Sequence, residues 1–111
     1  MTVVVVFRAR RTAEGLGEHY VSENKRMADI ATRMPGYISH KGYVAEDGER
    51  LTLIEWESPE TLRAWAAHPE HVPVKQLGRR NFYTEYRLQV CEVVRESNFT
   101  KRDTAEAPTG A

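Results

Sequence analysis

Hydrophobic residues change their spacing along the chain, and each spacing predicts a different element. Residues 3–9 form an unbroken run of mainly β-branched and aromatic side chains, typical of a central strand that is covered on both faces. Apolar residues then recur at helical spacing over 14–34, and Pro35 with Gly36 predicts the end of that helix. The chain therefore begins with one strand and one amphipathic helix.

A β-hairpin is predicted over residues 37–57. Asp47 and Gly48 readily take the positive φ angles of a two-residue turn, and such a turn determines which residues face each other. In this register His40 faces Glu55. Large apolar side chains fall on both faces of the hairpin, whereas one layer of helices covers only one face of a sheet.

A second helix and a last strand follow. Ser58 is a good N-cap and Pro59 suits the first helical position, which predicts a helix over 59–67. A second helical turn is expected within 69–80. It should be weaker than the first, because a proline interrupts it and a glycine ends it. Alternating polar and apolar residues over 82–94 predict the last strand.

The predicted order is β-α-β-β-α-β, which indicates an α+β ferredoxin-like antiparallel sheet with both helices on one face. Residues 1–96 are expected to form this single domain, and 97–111, which show no periodicity, a flexible tail. The uncovered face of the sheet needs a partner, and a second copy of the chain is the simplest one. A homodimer is therefore predicted.

Composition and charge narrow the possible functions. The 111 residues include 16 basic and 16 acidic side chains, so no strong field attracts nucleic acid. The N-terminal apolar run is far shorter than the ~20 residues of a membrane span and lacks the features of a signal peptide. The single Cys91 excludes an internal disulfide and a multi-thiolate metal site. We expect a cytoplasmic protein without a membrane partner.

Three stretches resemble the antibiotic biosynthesis monooxygenase family: RMPGYISHKGY, LTLIEWESPETLRAWAAHPEH and YRLQVCEVV. The resemblance spans residues 3–95 and implies a dimeric α/β barrel of ferredoxin-like subunits. Members include oxygenases that oxidise polycyclic phenols or hydroquinones with O₂ and without metal or flavin, quinol oxygenases, haem-degrading enzymes and proteins of no known activity. The resemblance identifies the fold better than the reaction.

Haem degradation is the easiest of these activities to compare with the sequence. The haem-degrading members use an Asn on the first strand, a Trp on the second helix and a His on the following segment. The Trp position matches Trp65, but the other two positions fall on Phe7 and near Lys75. The resemblance therefore argues against haem degradation by that route, although His71 one turn earlier could supply the ligand.

His68 and His71 lie three residues apart, but Pro69 between them makes a continuous helix through both unlikely, and the spacing is no metal motif. In one interpretation this segment is a loop, in which His68 caps the preceding helix and His71 lies at the surface. In the other, one imidazole lines a pocket as a base or a substrate clamp.

Two further candidates, the His40–Glu55 pair and Trp65, also have two interpretations. In one interpretation His40 and Glu55 form a buried imidazole–carboxylate pair, whose histidine can act as a base. In the other they form an exposed cross-strand pair. Gly42, which has no side chain, leaves room on this strand for a flat ligand. Trp65 is either a core residue or, together with Phe7, the wall of a cavity.

The leading functional hypothesis is a monooxygenase that needs no cofactor and oxidises an electron-rich aromatic or hydroquinone-like molecule with O₂. Arg79, Arg80 and Arg87 form either a clamp for an anionic substrate or ordinary solvated charges. The alternatives are a non-catalytic dimeric protein that binds a small hydrophobic molecule and, third, a haem-degrading monooxygenase. The predicted catalytic residues are His40, His71 and Trp65, and the predicted substrate-binding residues are Phe7, Glu55, His68 and Arg80, with no metal site.

Overall fold

The computed structural model describes residues 1–102. It contains four strands and three α-helices, with a short 3₁₀ turn before the first helix and a π-helical turn before the last strand. In chain order they are β1 Val3–Arg11, α1 Glu18–Ala31, β2 Tyr37–Val44, β3 Arg50–Trp56, α2 Pro59–Ala66, α3 His71–Leu77 and β4 Tyr83–Glu92.

The four strands form one antiparallel sheet in the order β2-β3-β1-β4, so β1 is central as predicted. This order and the helices on one face confirm the α+β ferredoxin-like fold. Closure into a barrel requires a second chain and stays a prediction. No helix within residues 1–102 is long and apolar enough to cross a membrane.

The core lies between the sheet and the helices. Alternate residues of β1 point toward α1 and α2, and the cross-strand partners of these residues point the same way. We call this side of the sheet the helix face. Its buried cluster consists of Val3, Val5, Met27, Ala31, Trp56 and Trp65.

The opposite side of the sheet, the outer face, carries an apolar centre. Val4 and Val6 of β1 lie beside Leu51 and Leu53 of β3, and all four side chains are partly exposed. Tyr43 extends this surface onto β2 and is 45% exposed. The outer face therefore retains the uncovered apolar surface that motivated the prediction of a homodimer.

The turn between β2 and β3 differs from the prediction and moves the register by one residue. Ala45 donates its N–H to the Glu49 carbonyl, and only Gly48 in the turn has a positive φ, at 89°. The loop therefore has three residues rather than two. As a result His40 pairs with Ile54, and the predicted pairing of His40 with Glu55 is wrong.

The connection from β3 to β4 follows the prediction more closely. Ser58 caps α2 by accepting from the Thr61 N–H at 3.1 Å. Pro73 lies in the first turn of α3, where the missing N–H costs no helical bond. Of the predicted tail, residues 97–102 have no regular secondary structure, and 103–111 lie outside the described residues.

Candidate functional site

His71 and Trp65 form the closest aromatic pair of the described chain. The imidazole lies parallel to the indole, with 4.1 Å between ring centroids and 11° between planes. Trp65 lies in the last turn of α2 and is buried in the core, whereas His71 begins α3 and is half-buried. The stack thus places one face of the imidazole against the core and leaves part of the ring accessible.

A hydrogen bond determines which nitrogen of His71 carries its proton. Nδ1 lies 3.1 Å from the Trp65 carbonyl oxygen, and a carbonyl can only accept, so Nδ1 donates. Nε2 is then left with a lone pair. Burial lowers the pKa of His71 to about 4 from its usual 6.5, so the ring is neutral at physiological pH. His71 can therefore offer a fixed hydrogen-bond acceptor.

The structure reverses the roles that the loop interpretation gave to the two histidines. The side chain that reaches the end of α2 belongs to His71, since it bonds the Trp65 carbonyl. His68 instead accepts the Glu70 N–H on its own Nδ1 at 3.0 Å, which closes the turn between the helices. The reason is Pro69, which ends α2 early and allows the chain to fold back over Trp65.

His40 lies at the other end of the same aromatic cluster. Its Nδ1 is 2.5 Å from the Tyr37 hydroxyl, and the Tyr37 ring contacts Trp56 edge-on at 5.8 Å. Trp56 in turn stacks on Trp65 with 6.5 Å between centroids. His40 is exposed and separated from His71 by these three rings. The two histidines therefore have different partners, the Tyr37 hydroxyl for His40 and the Trp65 carbonyl for His71.

An apolar strip on β4 lies on the same face of the sheet as the Trp65 cluster. Tyr86, Leu88 and Val90 lie on the helix face but are 39%, 52% and 51% exposed. We call these three residues the β4 shelf. Leu88 pairs with Phe7, and Val90 pairs with Val5, which belongs to the Trp65 cluster. The β4 shelf and Phe7 therefore form a partly exposed apolar surface on the helix face, which also carries the Trp65 cluster.

Phe7 belongs to a second aromatic cluster that the sequence did not predict. Its ring lies 5.4 Å from Tyr83 and 5.3 Å from Tyr86. Arg11 donates to the Tyr20 hydroxyl at 2.8 Å and stacks over the same ring. Burial raises the pKa of Tyr83, so its hydroxyl stays protonated. These tyrosines were counted in the sequence, but no spacing indicated that they would converge.

The predicted arginine clamp is divided between two sides of the sheet. Arg79 donates to the Tyr86 hydroxyl at 2.8 Å, which places it beside the β4 shelf. Arg87 lies on the outer face opposite Arg8, and Arg80 is exposed in the π-helical turn. Glu55 also lies on the outer face, away from Trp65. Only Arg79 of this group can reach a ligand on the shelf.

The described residues offer little for a metal ion. Within residues 1–102 no group of three or more His, Cys, Asp or Glu side chains is placed to hold one. Lys75, near the position that the resemblance gives to the haem ligand, donates to the Ala66 carbonyl at 2.7 Å. This lysine serves as a C-terminal cap for α2.

Comparison with known proteins identifies the family of this chain, and solved structures share its fold. Residues 2–75 match the model of the antibiotic biosynthesis monooxygenase family. The uncharacterized protein YqjZ of Bacillus subtilis is 28% identical over 95 residues, which cover 86% of this chain and 82% of YqjZ.

Two solved structures are similar over most of their length. SnoaB, a cofactor-independent oxygenase from Streptomyces nogalater, has a TM-score of 0.67 at 20% identity, covering 95% of this chain and 97% of SnoaB. Rv0793 from Mycobacterium tuberculosis has a TM-score of 0.74 at 15% identity, covering 88% of this chain and all of Rv0793, 100%. At these identities the likeness concerns the fold.

Proposed function

Because the chain belongs to the antibiotic biosynthesis monooxygenase family, we propose that it oxidises an electron-rich aromatic or hydroquinone-like molecule with O₂ and without a cofactor. The substrate ring lies on the β4 shelf and against Phe7, and its hydroxyl points at His71 Nε2. Trp65 holds the imidazole in place. The observation that carries the proposal is the neutral, partly exposed His71, fixed in one tautomer against Trp65.

In this proposal His71 accepts the phenolic proton at Nε2. An imidazole with a pKa of about 4 does not ionise a resting phenol at pH 7, because the phenol is the far weaker acid. The proton moves as the substrate gives an electron to O₂, because an oxidised phenol is a much stronger acid. For a naphthol, addition of one oxygen atom to the ring and loss of water give a quinone, and the substrate supplies all the electrons.

Oxygen uptake tests this proposal. Purified protein is mixed with 1,4-dihydroxynaphthalene or 1-naphthol in an oxygen electrode, and the uncatalysed rate is subtracted. We expect uptake that falls at least 100-fold in His71→Ala, in line with general-base contributions of about 10²–10⁴. His19→Ala, an exposed histidine on α1, is the matched control and should keep full activity.

His40→Ala distinguishes the two ends of the aromatic cluster. Because three rings separate His40 from His71, this variant should retain most of its oxygen uptake. Loss of activity in His40→Ala, with normal activity in His71→Ala, would move the site to the Tyr37 end and contradict the proposal. No uptake above background with the wild-type protein would favour the non-catalytic binder, whose ligand would occupy the same β4 shelf.

Haem is the competing substrate, and one observation favours it. A metal-bound histidine commonly donates its second ring nitrogen to a backbone carbonyl, as His71 Nδ1 does. The site would hold haem through His71 Nε2, with the porphyrin on the β4 shelf. A haemin titration checks this directly: a Soret shift that His71→Ala abolishes would support haem, and an unchanged spectrum would remove it.

We further propose that the chain acts as a homodimer joined through the outer face. Proteins of this family are commonly dimeric. The apolar centre of the outer face is the surface that a second copy would bury. A cytoplasmic location stays a prediction, compatible with the single exposed Cys91.

A further inference from the structure

The outer face holds three charged side chains without an ionic partner among residues 1–102: Lys41, Glu55 and Arg87. Arg8 and Arg10 are each paired with carboxylates of the β2–β3 turn or of β4. Lys41 lies at the β2 edge, with its ammonium 5.5 Å from the centre of a tyrosine ring on the same strand. Within the described part of the chain, no ion pair reaches Glu55 or Arg87.

The register places these two opposite charges symmetrically about one residue. Glu55 pairs with Val4 on one side of β1, and Arg87 pairs with Arg8 on the other side. At about 3.3 Å per residue and 4.8 Å per strand, the two positions are roughly 16 Å apart. The midpoint of the line that joins them falls on Val6, in the apolar centre of the outer face.

We propose that a second copy of this chain binds the outer face with Glu55 of each copy paired to Arg87 of the other, around a two-fold axis at Val6. The inference rests on the homodimer proposed above. In a two-fold interface, if one residue contacts a second, the second contacts the first in return. Among the described side chains of the outer face, Glu55 is the anion without an ion pair, and Arg87 is the unpaired cation that does not lie over an aromatic ring, so these two side chains form two equivalent ion pairs in the dimer.

The crossing angle that this pairing implies is compatible with known sheet packing. The axis must lie in the plane between the sheets, perpendicular to the line from Glu55 to Arg87. With the strand spacings above, rotation about this axis crosses the strands of the two sheets at roughly 70°, close to the near-perpendicular class of sheet packing. The charges thus select a geometry that packed sheets are known to adopt.

The apolar and charged parts of the interface have different roles. Val4, Val6, Leu51 and Leu53 supply apolar contact, which favours association. The ion pairs determine register, because a shifted or parallel arrangement would separate Arg87 from the partner copy's Glu55. Specificity rather than overall affinity should therefore depend most on Glu55 and Arg87.

Charge reversal tests the pairing. The dimer dissociation constant is measured by analytical ultracentrifugation for the full chain and for Glu55→Arg, Arg87→Glu and the double variant. Each single reversal should weaken the dimer about tenfold or more, since it places like charges together. The double variant should recover most of that loss. Arg33→Glu, an exposed site just after α1, is the matched control and should change nothing.

The outcomes separate this pairing from the two proposals before it. Single reversals without effect, or a double variant as weak as the singles, would overturn the pairing and leave the homodimer standing. A wild-type chain that stays monomeric at every concentration would overturn both. Oxygen uptake of the same samples reports on the catalytic proposal separately, because neither side chain lies on the helix face. Near-ultraviolet circular dichroism verifies that each variant is folded.

Discussion

Protonation of His71 should destabilise the protein, and the replacement His71→Phe should remove this dependence on pH. Burial lowers the pKa of the folded imidazole to about 4, whereas the unfolded chain has the usual 6.5. The stability that comes from the neutral ring is therefore fully present above pH 6.5. It is lost as the pH falls from 6.5 to 4, where the folded ring becomes charged.

The structure indicates the size of the effect. A shift of about 2.5 pH units corresponds to roughly 3.4 kcal/mol of unfolding free energy, and the partial exposure of the ring reduces this to about 2 kcal/mol. Phenylalanine keeps the stack on Trp65 but loses the bond to its carbonyl, which costs about 1 kcal/mol at neutral pH. At pH 4 the variant should equal or exceed the wild type in stability.

Urea unfolding followed by tryptophan fluorescence at pH 7.5, 5.5 and 4.0 measures this difference, at one fixed protein concentration because association contributes to stability. Carboxylates titrate in both proteins, so their effects cancel in the comparison. His19→Phe, at an exposed position, controls for the loss of any histidine. A stability difference between wild type and His71→Phe that stays constant across this pH range would refute the assigned environment of His71.

Further predictions concern the turns, a cap and the outer face. Gly36→Ala should lower the free energy of unfolding by more than 2 kcal/mol and Gly48→Ala by about 1 kcal/mol, because both have a positive φ but only the first would bring a Cβ into Thr61. Thermal denaturation compares this pair directly. Ser58→Ala should cost about 1 kcal/mol through loss of the α2 cap, measured by urea unfolding. Val6→Arg should dissociate the dimer, measured by sedimentation, because it places two buried cations together at the axis.

Elements with a strong periodic pattern were predicted well from sequence. The valine-rich run became the central strand, and the alternation after residue 82 became β4. The N-cap and proline before α2 located its start within one residue. In each case a local signal and the burial pattern agree, so neighbouring residues decide the structure without help from distant ones.

The hairpin register could not be derived from the Asp47–Gly48 pair. The Asp47 carboxylate accepts the Glu49 N–H at 3.0 Å, and this bond stabilises a three-residue loop in which only the glycine needs a positive φ. The Asp47–Gly48 dipeptide is therefore compatible with both a two-residue and a three-residue loop. One extra residue in the loop shifts the pairing of β2 with β3 by one position. His40 therefore pairs with Ile54, and the predicted pair of His40 with Glu55 does not form.

The arrangement around His71 depends on contacts that sequence spacing does not encode. His71 stacks on Trp65 because the chain reverses between α2 and α3, and a proline signals only that a helix ends, not where the chain goes next. The β4 shelf likewise depends on which face of an alternating strand meets the helices. His71 and Trp65 were identified as candidates from sequence, but their contact could be seen only in the folded structure.

The most direct test of the account is to observe the four histidines by NMR while a phenol binds. Nitrogen-15-labelled protein is titrated with 2-naphthol under anaerobic conditions, so that binding proceeds without reaction. The account predicts a His71 protonated at Nδ1 in the free protein and a shift of its Nε2 signal on binding, with His19 and His40 unchanged. An unperturbed His71, or a shift confined to His40, would contradict it.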